Sequence, residues 1–91
     1  MKTIWKYPLR IRDWVRLEMP RGAEILCVQV QGLTPCLWAL VDDAAPKVGR
    51  RLRLYGTVHE CDAEMTVADY VGTFQVEGGA FVFHVFDEGE E

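Results

Sequence analysis

The stretch from Pro35 to His59, PCLWALVDDAAPKVGRRLRLYGTVH, constrains this chain more than any other. An apolar run leads into a polar connection holding Pro46 and Gly49, and then into a segment where Arg and Leu alternate. Within Arg50–His59, Leu52, Leu54, Gly56 and Val58 fall on one side, while Arg51, Arg53, Tyr55, Thr57 and His59 fall on the other. A period of two is that of a half-buried strand.

The same period recurs along the chain. Thr3–Leu9 sets Trp5, Tyr7 and Leu9 against Ile4, Lys6 and Pro8. Pro8 lacks a backbone donor, so this strand lies at an edge or ends its pairing there. Trp14–Met19 sets Val15, Leu17 and Met19 against Trp14, Arg16 and Glu18, and Pro20-Arg21-Gly22 makes a turn. Glu24–Gln31 and Pro35–Asp42 flank Gly32-Leu33, with Gly32 suited to the first central position of a type II′ turn. In that register Cys27 faces Trp38, Val28 faces Leu37 and Leu26 faces Ala39. Both faces of this hairpin are largely apolar, which places it in the middle of the structure.

After Arg50–His59, the segment Glu60–Asp69 has room for one helical turn. A last hairpin, Tyr70–Val76 and Ala80–Phe86, closes around Glu77-Gly78-Gly79. Pairing Glu77 with Ala80 sets Phe74 opposite Phe83, Val76 opposite Phe81, Gly72 opposite Val85 and Thr73 opposite His84. Asp87–Glu91 reads as a frayed acidic tail. The expectation is therefore an all-β domain over residues 1–86, a small antiparallel β-sandwich or partly open barrel of about seven strands, with a tail over 87–91.

Composition agrees with one globular domain: 91 residues, 49% hydrophobic and 11% aromatic. No apolar run approaches the roughly 20 residues that span a bilayer, and Met1-Lys2-Thr3 does not open a signal-peptide core. Cys27, Cys36 and Cys61 are odd in number and form no CxxC pair. Cys27 and Cys36 lie diagonally in the hairpin register, a poor geometry for a disulfide. A cytoplasmic protein with reduced thiols is expected.

At this point the chain resembles a family of small proteins of unknown function from bacteriophages and prophages. The segments that carry the resemblance are IWKYPL (4–9), PRGAEILCVQVQ (20–31), PCLWALVD (35–42), RRLRLYGTVH (50–59), YVGTFQ (70–75) and FVFHVF (81–86). The resemblance covers nearly the whole chain and implies a fold and a phage origin, but no catalytic residues. The family pattern carries a glycine before the histidine, where this chain has Val58.

The residues argue against an enzyme. Serine is absent, and only His59 and His84 are available as bases. Cys61 stands among Glu60, Asp62 and Glu64, whose charge opposes thiolate formation. His59, Cys61, Asp62 and Glu64 are eligible metal ligands but match no regular zinc spacing, so no metal and no cofactor are expected. Phosphate-cradling glycine motifs are missing.

A binding module remains, with two candidate surfaces. One is basic and aromatic: Lys47, Arg50, Arg51, Arg53, Tyr55 and His59. The other is acidic: Glu60, Asp62, Glu64 and Asp69, extended by the tail. All ten Lys and Arg fall in residues 1–53 against five acids, a balance of +5, whereas residues 54–91 carry nine acids and no Lys or Arg. These halves attract once folded. The leading expectation is a phage-encoded protein that binds a host or phage protein, with inhibition of a host defence system as its effect. A nucleic-acid-binding accessory protein acting through Arg51, Arg53 and Tyr55 is the alternative, opposed by a pI of about 5.1. A virion or assembly component is a third, and pairing across the Pro8 edge offers a route to a homodimer. No membrane partner is expected.

Overall fold

Seven strands form where the alternation lies. The computed structural model describes residues 1–91, with β1 over Lys2–Pro8, β2 over Trp14–Pro20, β3 over Glu24–Gln31 and β4 over Thr34–Asp42. β5 follows over Lys47–Gly56, β6 over Tyr70–Val76 and β7 over Phe81–Glu90. Two antiparallel sheets result, one ordered β1-β4-β3 and the other β2-β5-β7-β6. The helical content is two short 3-10 turns, at Val67–Asp69 and Glu77–Gly79. No helix is long and apolar enough to cross a membrane.

The sheets pack face to face because each contributes one apolar side. Val28, Leu37, Ala39 and Val41 from the first join Leu52, Leu54, Phe74 and Val85 from the second in one buried cluster. Leu37 and Leu52 have no exposed surface, and each such side chain contributes about 2 kcal/mol by leaving water. β1 is an edge strand, and its pairing with β4 continues past Pro8↔Cys36 to the Leu9 N–H, which donates to the Pro35 carbonyl at 2.8 Å. Pro8 is tolerated because its nitrogen faces away from β4 at the edge.

Both hairpins fall in the expected register over most of their length. Cys27 pairs with Trp38 and Val28 with Leu37, and Gly32 takes φ +62°, the sign a type II′ turn needs there. Phe74 faces Phe83, Val76 faces Phe81, Gly72 faces Val85 and Thr73 faces His84. The three cysteines are free. Of the hairpin expected at the centre, β4 is the middle strand of its sheet and β3 is an edge.

Three local expectations are corrected. Ile25, not Leu26, pairs with Ala39, because the register shifts between Ile25 and Cys27. Leu26 is the extra residue of that bulge and is about half exposed; one inserted residue exchanges the two faces. β5 ends at Gly56 rather than His59, since Val58 adopts φ +65° and a left-handed residue cannot continue a strand. Residues 87–90 are not a frayed tail but the end of β7, where Arg50 pairs with Glu90 and Arg51 with Gly89.

Charge explains why this acidic end is ordered. Arg16 and Arg51 stand directly opposite one another on β2 and β5, a repulsive arrangement on its own. Glu91 accepts two hydrogen bonds from Arg16 Nε at 2.9 and 3.0 Å, and Glu88 lies 3.8 Å from Arg51. Glu90 accepts from the Gly22 backbone N–H at 2.8 Å. Thus the attraction expected between the two halves of the sequence is concentrated on this last stretch of chain.

Candidate functional site

The outer face of the four-stranded sheet carries a row of large side chains. Backbone pairing sets Trp14 beside Arg53, Arg53 beside Phe86 and Phe86 beside Tyr70. The Arg53 guanidinium carbon lies 3.9 Å from the Trp14 ring centroid and 4.5 Å from that of Tyr55. Phe86 meets Tyr55 and Tyr70 edge to face, with centroids 5.7 and 5.6 Å apart. This is an aromatic shelf with one cation set into it.

Residues 57–69 stand over that shelf. Val58 turns the chain back after β5, and His59 settles against Gly56, where any added Cβ would lie 2.6 Å from its Nδ1. Further on, Tyr55 and Asp62 fasten the segment down. The Tyr55 hydroxyl donates to Asp62 Oδ2 at 3.2 Å and accepts from the Asp62 backbone N–H at 3.3 Å. Thr66 accepts from the Ala68 N–H and caps the 3-10 turn that leads into β6.

Two hollows flank this bridge. The first, about 510 Å³, is lined by Arg53, Tyr55, Phe86 and Met65 together with Asp62, Glu64, Asp69 and Glu88. The second, about 480 Å³, shares Tyr55, Met65 and Phe86 and is lined further by Val58, Val67 and Tyr70. A hydrogen-bonded chain borders it: Tyr70 to Thr73 at 2.6 Å, Thr73 to His84 Nδ1 at 2.9 Å, and His84 Nε2 to Thr57 at 2.7 Å. Every polar group in that chain already has a partner.

Arg53 does not. It is 8% exposed, and its Nε and Nη1 are shut off from solvent with no acceptor. Its neighbours in the first hollow are four carboxylates, none of which forms an ion pair with it. A buried guanidinium has five donors to satisfy, and native structures rarely leave them unmet. The Tyr7 hydroxyl is the one other buried side-chain group without a partner, and burial pushes its pKa up.

The sequence-predicted residues separate in an informative way. Arg53 and Tyr55, from the basic surface, share the first hollow with Asp62, Glu64 and Asp69, from the acidic one. Arg50 is instead held by Asp87 and the Ala23 carbonyl. Lys47 is exposed and sits 5.9 Å from the Trp5 ring centroid, Arg51 is exposed beside Glu88, and His59 borders the second hollow. Glu60 lines neither hollow. No group of three His, Cys, Asp or Glu side chains converges to hold a metal ion.

Trp14, Phe86, Met65 and Glu88 belong to the site and were not legible as such. Period two does put Arg53 and Phe86 on faces of their strands, but only the β5–β7 register makes them neighbours. The chain matches the model of a domain of unknown function, DUF7352, over residues 1–91. Neither a curated protein nor a solved structure matches it.

Proposed function

Since the chain belongs to the DUF7352 family of unknown function, we propose from the site itself that it is a non-enzymatic binding module acting through protein–protein contacts. The observation that carries this reading is the buried, unpartnered Arg53 at the floor of a cleft rimmed by carboxylates. Aromatic and arginine side chains set in a partly desolvated pocket are the usual anchors of protein interfaces. The resemblance to phage and prophage proteins supports a host protein as the partner, with inhibition of a defence system as the effect of binding.

The experiment is capture from host lysate by the intact chain and by Glu64→Gln/Asp69→Asn, with mass spectrometry of what is retained. Both carboxylates are exposed, so this variant keeps the fold. A protein held in stoichiometric amount by the parent chain and lost from the variant supports the reading. Equal capture by both chains removes the cleft from it.

One observation favours nucleic-acid binding as a second reading. Arg10 and Arg12 line a hollow of about 240 Å³ beside Trp14, together with Arg16, whose charge is already met by Glu91 and Glu18. Binding that weakens steeply with salt and is lost in Arg10→Ala/Arg12→Ala is its signature.

A further inference from the structure

The occupant of the Arg53 cleft must answer two opposite demands. Its rim holds Asp62, Glu64, Asp69 and Glu88 around the single cation, so a free phosphate or carboxylate is repelled more strongly than Arg53 attracts it. An apolar group would bury the guanidinium further and still offer no acceptor. A simple cation would satisfy the rim and leave Arg53 unpaired. Only a ligand that carries a cation and a neutral or shielded oxygen acceptor close together meets both conditions.

A peptide chain at a basic residue is such a ligand. Resting on the protein-binding reading above, we propose that the cleft takes an arginine or lysine side chain of the partner, its cation held in the field of the rim carboxylates Asp62, Glu64 and Asp69 while a backbone carbonyl beside it accepts from Arg53. The Arg53 guanidinium lines the cleft, and its Nε and Nη1 are shut off from solvent, so the carbonyl would accept from Nη2. Asp62 is already oriented by its two hydrogen bonds with Tyr55, which lowers the ordering cost of binding. The Tyr55 and Phe86 rings in the lining supply faces on which a guanidinium packs well.

The test uses the intact chain and the peptide acetyl-Gly-Gly-Arg-Gly-Gly-amide, followed through the Arg53 Nε–Hε resonance and the backbone amides of residues 62–69. Parallel titrations use the same peptide with citrulline or Glu in place of Arg, and inorganic phosphate. The expected result is saturable movement of the Arg53 and 62–69 signals with the Arg peptide. Citrulline should bind about tenfold more weakly, and Glu64→Gln/Asp69→Asn should weaken the Arg peptide by a similar factor, as the loss of two rim charges implies. Movement caused more readily by phosphate or by the Glu peptide overturns the proposal in favour of an anion site. No movement with the Arg peptide also overturns it, and if capture from lysate still depends on Glu64 and Asp69, the binding reading survives with a different occupant. Loss of both removes the reading as well.

Discussion

Arg50 on β5 and Asp87 on β7 grip one another through two parallel hydrogen bonds, Nε to Oδ1 at 2.9 Å and Nη2 to Oδ2 at 2.7 Å. Burial alone would push the Asp87 carboxyl up, but the Arg50 hydrogen bond, the Gly89 N–H and the Arg50 charge together hold it below the usual carboxylate range. A folded-state pKa lower than the unfolded one means that the unfolded chain binds the proton more readily. The stability contributed by Asp87 is therefore full above the unfolded value near 3.9 and lost as pH falls through the folded value. Asp87→Asn should lower stability at pH 7 by about 2 kcal/mol and flatten the decline between about pH 5 and pH 2. Urea midpoints measured across that range decide it; parallel slopes for the two proteins would assign the acid sensitivity elsewhere.

Val28 of β3 packs directly over Gly72 of β6, where an added Cβ on Gly72 would lie 2.9 Å from Val28 Cγ1. Gly72→Ala should destabilise by about 1–2 kcal/mol through overpacking. Val28→Ala alone leaves a cavity and should also destabilise. Their double variant should lose clearly less than the sum, because the space one change opens accepts the methyl group of the other. Simple additivity in a double-mutant cycle would show that the contact is relieved by backbone movement instead.

Val58 holds φ +65° with its side chain almost wholly exposed. A β-branched residue in the left-handed region is strained and gains nothing here from burial. Val58→Gly should raise stability by about 1 kcal/mol, and Val58→Ala by much less, since alanine is disfavoured there too. Equal gains from the two substitutions would point to the lost side chain rather than to the backbone.

Where a short turn joins two strands, the sequence carried the register. Gly32 and Gly78-Gly79 sit where positive φ is needed, and a turn of fixed length leaves each neighbouring pair one choice of partner. Leu26 shows the boundary of that logic, because a single unpaired residue has no signature in an apolar run. The acidic end shows another: Asp87–Glu91 has the composition of a solvated tail, and its order comes from Arg50, Arg16 and the Gly22 N–H, all far off in sequence. The site was half legible for the same reason. Arg53 and Tyr55 on one side, and Asp62, Glu64 and Asp69 on the other, were each visible as candidates. What joins them is the reversal at Val58 and the Tyr55–Asp62 contact, which are matters of tertiary path.

Arg53 itself gives the sharpest test of why the cleft exists. A buried charge without an acceptor weakens a fold, and replacing it by an apolar side chain of similar length is commonly neutral or stabilising. Stacking between Trp14 and Tyr55 offsets part of that penalty, by about 2 kcal/mol at most for a desolvated cation–π pair. Arg53→Met, which retains the contact with both rings, should leave the urea midpoint unchanged or raise stability by about 1 kcal/mol, while abolishing capture of the partner. That combination is the mark of a residue kept for binding at the expense of the fold. A loss of about 3 kcal/mol or more on the same substitution would instead make Arg53 a structural member of the aromatic shelf, kept for its packing between Trp14 and Tyr55 rather than for a ligand.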